Sequence, residues 1–225
     1  MSRSARLVVP GCPHHITQRG NRRQRTFFSR RDYEKYSQIM ADSCLAHGLQ
    51  VWAYCLMPNH VHLIAVPGNE ESLRCAIGEA HQSYTRIINF REDWQGHLWQ
   101  GRFASYAMDE AHLLAATRYI ELNPVRSGLV KSPYDWIFSS ANAHRKGERD
   151  ALVDPKAMLE RIENWHEFLT SDPVASLAPQ IRLHERTGRP LGGDDFIKDL
   201  ERQTGLTLQP RKPGPKDNSE ESVLP

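Results

Sequence analysis

The feature that most constrains this fold is a pair of β-rich segments, residues 51–57 and 60–66, that meet at Pro58-Asn59. Apolar, aromatic and β-branched runs separated by a short turn signal are typical of a β-hairpin. A hairpin alone is marginal in water and needs more strands or a covering layer of helices. The chain is therefore predicted to build a sheet around residues 51–66.

The flanking segments supply further strands and helices. Strands are predicted at residues 14–19 and 102–108. Three helices are predicted. The first begins at Ser29 or Asp32 and ends at Gly48, and the second spans about residues 71–90. The third is capped by Asp109 and ends near Asn123-Pro124. Strands alternating with helices favour an α+β fold in which helices cover a sheet.

Beyond Arg145-Lys146-Gly147 the sequence becomes more polar. We predict one domain at residues 1–146 and a small helical C-terminal extension at 147–209, with short helices at 154–168 and 194–203. Residues 210–225 are rich in Pro, Lys and Glu and are predicted to be a disordered tail. The chain contains no internal repeat and no phosphate-binding glycine loop of either common pattern.

Basic charge is concentrated at the start of the chain. Residues 1–31 carry eight arginines and no acidic residue, although the net charge of the whole chain is only +2. Concentrated arginine is typical of proteins that contact phosphate backbones. A solvated basic arm without a partner is the alternative.

The composition also restricts the compartment. The longest apolar run, residues 51–57, is far too short to cross a bilayer, and the first residues do not resemble a secretory signal. The four cysteines are scattered without a C-x-x-C pair, which argues against a zinc cluster or a disulfide framework. We expect a soluble, cytoplasmic protein.

The sharpest chemical motif is His60-Val61-His62 within the second β-rich segment. Side chains two residues apart in a strand point to the same face, so both imidazoles are predicted to lie side by side. Two neutral imidazoles in this arrangement can chelate one divalent metal. In most strands, however, an H-x-H motif is a pair of exposed or hydrogen-bonded histidines rather than a metal site.

A second motif lies at the end of the third predicted helix. Tyr119 and Asn123 are four residues apart and therefore share a helix face. The phenol offers a nucleophilic oxygen and the amide a carbonyl oxygen suited to a hard cation. The alternative is a tyrosine that packs against the sheet and an asparagine that caps the helix.

Together these motifs resemble a known family. Residues 55–62, Cys-Leu-Met-Pro-Asn-His-Val-His, resemble the HUH motif of single-tyrosine (insertion-sequence 200-like) transposases. Residues 118–128 resemble the tyrosine segment of one branch, the REP-associated tyrosine transposases, where REP denotes repetitive extragenic palindromes. The segments 10–21, 98–103 and 135–140 fit the same branch, and the resemblance spans about residues 5–145 in consistent order.

The resemblance implies a ferredoxin-like antiparallel sheet backed by helices. It implies that His60, His62 and Asn123 hold Mg²⁺ or Mn²⁺, with Asn123 where related transposases often have glutamine. It also implies that Tyr119 is the nucleophile, in preference to Tyr54, Tyr84 and Tyr106. The expected activity is cleavage and joining of single-stranded DNA at REP-type hairpins through a 5′-phosphotyrosine intermediate.

Several residues are candidates for contact with the DNA. We expect Arg19, Arg22, Arg23, Arg25 and Arg102 to contact phosphates. Trp99, with Trp94, His97 and Phe103, is a candidate for stacking on unpaired bases. Core packing is the alternative for Trp99 and Phe103. The basic, proline-rich segment 210–216 is a weaker candidate, and a plain solvated tail is the alternative there.

Two other functions stay open at this point. A protein that binds palindromes without cutting them would carry the same DNA-binding residues. A metallohydrolase that uses His60 and His62 would activate water and form no covalent adduct. The sequence leaves open whether the protein acts as a monomer or a homodimer, and an association with the nucleoid is expected for a DNA-binding protein of this kind.

Overall fold

The computed structural model describes residues 6–171 and 178–209. Four strands form one antiparallel sheet: β1 (His14–Arg19), β2 (Leu49–Met57), β3 (His60–Pro67) and β4 (Ala104–Ala107), in the order β2-β3-β1-β4. The predicted hairpin is confirmed as β2 and β3, and the strand at 14–19 has its predicted bounds. The strand predicted at 102–108 is shorter, because the backbone before it turns to hydrogen-bond the end of β1.

Two long helices follow their strands in a β-α-β-β-α-β order: α1 (Arg30–Ala46) after β1 and α2 (Ser72–Glu92) after β3. This order and the arrangement of the strands define a ferredoxin-like core. The expected α+β fold, an antiparallel sheet backed by helices, is therefore confirmed. Ser29 and Asp32 begin α1 together, because the two form a reciprocal capping box.

The sheet separates two apolar layers. Helices α1 and α2 cover one face, where Ile16 and Leu63 pack with Tyr36 and Tyr84. Helix α3 (Glu110–Glu121) covers the other face, where Ile64 and Tyr106 pack with residues of α3 such as Ile120. Asp109 caps α3 as predicted, because its side chain accepts a hydrogen bond from the backbone N–H of His112. The sheet thus presents one face to each helical layer.

The strand register decides which polar residues meet. In the β1–β3 pair, Thr17 lies opposite His62, Arg19 opposite His60 and His15 opposite Ile64. Directly opposed residues of antiparallel strands point to the same face. The odd-numbered residues of β1 therefore share the α3 side of the sheet with both histidines of the H-x-H motif.

The chain after α3 differs most from the prediction. It forms six short helices among the described residues: α4 (Asn123–Arg126), α5 (Ala141–Lys146), α6 (Lys156–Leu159), α7 (Trp165–Thr170), α8 (Ala178–Thr187) and α9 (Asp194–Thr204). The single helix predicted at 154–168 is wrong, because Asn164 caps a new helix within it. The helix predicted at 194–203 is confirmed as α9.

The C-terminal segment returns to the four-stranded sheet. Leu191 exchanges backbone hydrogen bonds with Ala107 and Asp109, at the end of β4. Helix α8, which the sequence analysis did not predict, packs against β4 and β1. The predicted tail at 210–225 lies outside the described residues. Within the described part of the chain, no helix combines the length and apolar character needed to cross a membrane.

Candidate active site

The H-x-H histidines lie at the start of β3, on the sheet face that α3 covers. Their ring centroids are 4.9 Å apart and their planes nearly perpendicular. His60 Nδ1 is 2.7 Å from Asn59 Oδ1, which fixes the orientation of that ring. Its Nε2 has no hydrogen-bond partner among residues 6–171 and 178–209. The predicted side-by-side placement of the two imidazoles is therefore observed.

His62 is part of a buried polar chain that the sequence analysis missed. Its Nδ1 lies 3.1 Å from Nε2 of His15, and Nδ1 of His15 lies 2.7 Å from the hydroxyl of Tyr106. Glu185 lies on α8, and its Oε1 is 3.7 Å from His62 Nδ1. One ligand atom each of His15, His62 and Glu185 lies within 4.8 Å of the others.

Burial sets the charge of these groups. It lowers the pKa of His15 to about 3, and burial with the nearby Arg19 lowers the pKa of His60 to about 3. The pKa of His62 is held well below its ordinary value by burial and then by His60. All three imidazoles are therefore neutral at pH 7, which is the form that binds a metal.

Glu185 is the acidic member of this cluster. Burial raises its pKa to about 7, against the opposing effect of Arg19, Arg182 and Arg126. Its Oε1 is buried and accepts no hydrogen bond within the described part of the chain. A buried carboxylate oxygen without a partner is costly unless a proton or a cation satisfies it.

Tyr119 lies in the last turn of α3 and faces this cluster. Its ring centroid is 6.1 Å from that of His62, and the two rings meet edge to face. Only 5% of Tyr119 is exposed. Two arginines flank it: the Arg126 guanidinium lies 3.8 Å from the ring centre, and contact with Tyr119 raises the pKa of Arg182.

Asn123 lies one turn beyond Tyr119, at the start of α4. Arg126 donates one hydrogen bond to the Tyr119 carbonyl, at 2.8 Å, and another to Asn123 Oδ1, at 3.0 Å. Arg126 thus holds the predicted nucleophile and the predicted amide ligand in one arrangement. Asn123 stays half-buried.

The buried carboxylate of Glu121 fixes the position of α3, the helix that also carries Tyr119. Glu121 is fully buried and accepts hydrogen bonds from Ser140, at 2.5 Å, and from the indole N–H of Trp165, at 2.9 Å. Its Oε1 also lies 2.7 Å from Nδ1 of His144. These bonds connect α3 to α5 and α7, so the segments after the sheet fix the helix that carries Tyr119.

The other tyrosines weighed as nucleophiles are engaged elsewhere. Tyr54 donates to Asp150, Tyr84 donates to the carbonyl of Thr26, and Tyr106 pairs with His15. Of the four, Tyr119 is the one that α3 places against both His62 and two arginines. The structure thus favours the same tyrosine as the sequence, although its role stays a prediction.

The segment of residues 19–25, here called the arginine loop, packs directly on the turn that precedes His60. The backbone N–H of Gly20 donates to the carbonyl of Asn59, and the Asn59 amide donates to the carbonyl of Arg23. A Cβ at Gly20 would lie 2.3 Å from a backbone oxygen, so only glycine fits there. Arg22, Arg23, Arg25 and Arg102 are exposed, whereas Arg19 is half-buried on the face of the histidines.

The aromatic candidates for base stacking divide into two groups. Trp99 and Phe103 are 6% and 9% exposed, and Trp99 stacks on His81 with ring centroids 4.5 Å apart. The burial of Trp99 favours core packing, the alternative to stacking on a base, and a role for this residue in DNA contact stays a prediction. Trp94 is 41% exposed and His97 is also exposed, so their faces stay accessible.

Comparison with known proteins identifies the family and agrees with this fold. The profile of the family described as "Transposase IS200 like" matches residues 8–123, just over half of the chain. The protein therefore belongs to the IS200-like transposase family, a class of DNA-processing enzymes. The matched range contains β1, the H-x-H histidines, Tyr119 and Asn123.

Two relatives share the branch that the sequence motifs indicate. A Haemophilus influenzae protein provisionally named a REP-associated tyrosine transposase is 27% identical over 129 residues, which cover 52% of this chain and 73% of that protein. The REP-associated tyrosine transposase of Escherichia coli is 26% identical over 92 residues, or 40% of this chain and 53% of that protein. The resemblance to REP-associated tyrosine transposases is confirmed.

A solved structure shows the same fold. A REP-associated tyrosine transposase bound to a REP hairpin superimposes with a TM-score of 0.54 at 22% identity, covering 68% of this chain and 90% of the other. At that identity the similarity establishes the fold alone.

Proposed function

We propose that this protein is a metal-dependent single-stranded DNA endonuclease and strand transferase with Tyr119 as its nucleophile. The observation that carries the proposal is the position of Tyr119, whose ring meets His62 edge to face and lies 3.8 Å from the Arg126 guanidinium. Membership of the IS200-like family gives the reaction class. Resemblance to the REP-associated branch suggests REP-type hairpins as the substrate.

The donor atoms around His62 fit a divalent cation. The imidazoles are neutral, and the buried Oε1 of Glu185 lacks a hydrogen-bond partner among the described residues. We assign Mg²⁺ or Mn²⁺ to His60, His62 and Asn123, with His15 and Tyr106 orienting His62 through its Nδ1. The cluster of His15, His62 and Glu185 is a competing donor set that uses the same His62.

A divalent ion at this site would act as a Lewis acid toward the scissile phosphate. The protein's own groups perform the rest of the reaction. The Tyr119 hydroxyl loses its proton and its oxygen forms a bond to phosphorus, while the bond from phosphorus to the 3′ oxygen breaks. The 3′ oxygen takes up a proton, and the 5′ end of the DNA stays attached to Tyr119. A second 3′-hydroxyl reverses the step without ATP, because the phosphodiester energy is kept in the covalent bond.

Arg126 and Arg182 have a defined role in this scheme. Cations beside the reacting groups stabilise the negative charge that develops during phosphoryl transfer. Arg126 also bonds Asn123, so the same side chain positions the amide and the nucleophile. We therefore regard Arg126 as a positioning residue as well as an electrostatic one.

The arginine loop gives the DNA a path to the site. Arg19 shares the sheet face of the histidines, and the exposed Arg22, Arg23 and Arg25 follow it on a loop held by the Pro58-Asn59 turn. A phosphate backbone that runs along this loop reaches His60 directly. Arg102 extends the same basic surface toward β4.

The alternative is a protein that binds palindromes without cutting them. A denaturing gel with labelled single-stranded hairpin DNA and Mn²⁺ separates the two. The proposal expects a slow-migrating covalent adduct with wild type and none with Tyr119→Phe, while both proteins bind the DNA equally. Binding without cleavage in wild type would support the alternative, and an adduct in the variant would assign the reaction to another tyrosine.

A further inference from the structure

An open cavity lies on the opposite side of the sheet from Tyr119. It has a volume of about 650 Å³, and residues of α2 and of the segment 96–103 line it. We call it the α2 pocket. Its size is that of sites that hold one small organic group. The reaction at Tyr119 makes no use of it, because α2 covers the other face of the sheet.

The α2 pocket is strongly basic. Four arginines line it (Arg6, Arg74, Arg86 and Arg102), and its lining contains no Asp or Glu. Arg74 pairs with Glu71, whereas the other three form no ion pair among the described residues. Burial and the neighbouring Arg102 lower the pKa of Arg6 to about 10. Such a surface favours an anionic ligand.

An aromatic wall completes the α2 pocket. Trp99 lines it, with one face stacked on His81, and the Arg6 guanidinium covers Phe103 at 3.6 Å from the ring centre. The indole Nε1–H of Trp99 is buried and has no hydrogen-bond partner within the described part of the chain. A buried, unpaired donor beside a cavity is a feature that a ligand with an acceptor atom would satisfy.

The α2 pocket is continuous with the proposed path of the DNA. Trp99 pairs with Gly20 in an isolated β-bridge, and Gln100 donates to the carbonyl of Arg19, so the pocket wall and the arginine loop are bonded together. A second cavity shares Arg6, Arg102 and Phe103 with the pocket and reaches Glu185, beside His62. The two cavities therefore adjoin at Arg6, Arg102 and Phe103, and the second one extends along the β4 edge of the sheet to Glu185.

We propose that the α2 pocket holds one unpaired nucleotide of the bound DNA, with its phosphate on Arg86 and Arg102 and an acceptor atom of its base on the Trp99 indole N–H. This inference rests on the proposed function, because it assumes that the substrate is DNA. It assigns Trp99 a role as a hydrogen-bond donor rather than as a stacking platform. The ligand class follows from three arginines without ion pairs and one aromatic donor.

The test compares two fluorescent DNAs by anisotropy: a hairpin without overhangs and the same hairpin with single-stranded extensions on both sides. Trp99→Phe keeps a six-membered aromatic ring but removes the N–H donor together with the second ring of the indole, and Arg86→Ala removes one charge without changing that packing. Arg149→Ala is the matched control, since Arg149 is exposed and lies near β2, at the other edge of the sheet. Loss of one buried hydrogen bond to a ligand corresponds to about a tenfold weaker affinity.

Both pocket variants are expected to bind the extended hairpin about tenfold more weakly than wild type while binding the bare hairpin normally. Arg149→Ala should bind both DNAs like wild type. Equal affinity of wild type and pocket variants for the extended hairpin would overturn the proposal. So would an equal loss on both DNAs, because the effect would then not depend on unpaired nucleotides.

A second measurement separates failure of the pocket from failure of the proposed function. In the NMR spectrum of ¹⁵N-labelled protein, the indole N–H resonance of Trp99 is identified as the one that disappears in Trp99→Phe. A short unpaired oligonucleotide is expected to shift this resonance. If wild type binds no hairpin but this resonance shifts, the proposed function fails and the α2 pocket stands. If hairpins bind and cleave while the resonance does not move, the pocket proposal is wrong and the proposed function stands.

Discussion

The Arg126 guanidinium lies 3.8 Å from the centre of the Tyr119 ring and donates a hydrogen bond to the Tyr119 carbonyl. One side chain thus contacts both the ring and the backbone of the proposed nucleophile. A cation over an aromatic ring stabilises the pair, and it does so more strongly when the ring carries negative charge. We therefore expect Arg126 to contribute to the rate at which Tyr119 attacks DNA.

Arg126→Ala is expected to slow formation of the DNA adduct by on the order of 10²-fold, the cost of removing one group that stabilises developing charge. Arg126→Lys should recover part of the rate, because it restores the charge but not the forked hydrogen bonds. Arg145→Ala, which removes an arginine stacked on Tyr134, is the control. An unchanged rate for Arg126→Ala would exclude the role.

Metal binding distinguishes the two donor sets that compete for His62. If His60, His62 and Asn123 hold the ion, His60→Ala should abolish Mn²⁺ binding. His15→Gln should then weaken it by about 10–100-fold, as expected for loss of an orienting partner. Isothermal titration of the protein with Mn²⁺ measures both, and the exposed His166 provides the control His166→Gln. A severe loss in His15→Gln with a mild one in His60→Ala would assign the ion to His15, His62 and Glu185.

Glu185 should make folding stability depend on pH. Burial raises its pKa from 4.5 to about 7, so the folded protein keeps a proton that the unfolded chain has already released. The stabilising contribution is therefore complete below pH 4.5 and is lost as the pH rises through about 7. Without divalent metal, the free energy of unfolding of wild type should fall by up to ~3 kcal/mol more than that of Glu185→Gln between pH 4.5 and 8. Urea denaturation at each pH measures this difference, and parallel curves for the two proteins would contradict it.

The arginine loop should dominate the salt dependence of DNA binding. Replacement of Arg22 and Arg23 by alanine is expected to weaken binding and to flatten the plot of log affinity against log salt. The slope changes by about 0.7 for each lost phosphate contact on single strands. The double variant of Arg149 and Arg202, two exposed arginines far from the loop in sequence, serves as the control for lost charge. A slope equal to that of wild type would place the phosphate contacts elsewhere.

Much of the core could be predicted because its signals are local. The β2–β3 hairpin follows from two β-rich runs around Pro58-Asn59, and α3 from the cap at Asp109. His60, His62 and Tyr119 belong to short motifs whose spacing within one element fixes their faces. These features need no knowledge of how distant segments pack.

The parts that escaped prediction depend on distant contacts. His15 meets His62 only because β1 pairs with β3 in one register, which neither strand reveals alone. Glu185 and Arg182 lie on α8, which has Pro179 in its first turn. Proline is tolerated at that position, but in a sequence it usually indicates the end of a helix. The residue type of Trp99 fits both base stacking and core packing, and only its contacts with distant aromatic residues such as His81 show that it is buried.

Mass spectrometry of the covalent adduct shows whether Tyr119 is the residue that attacks the DNA. Wild-type protein is incubated with single-stranded hairpin DNA and Mn²⁺, then digested with nuclease and protease. A nucleotide linked through a 5′ phosphate to Tyr119 in the peptide that contains residues 119–123 is the expected result. The same linkage on a different tyrosine, or DNA cleaved with no linked peptide, would contradict the account.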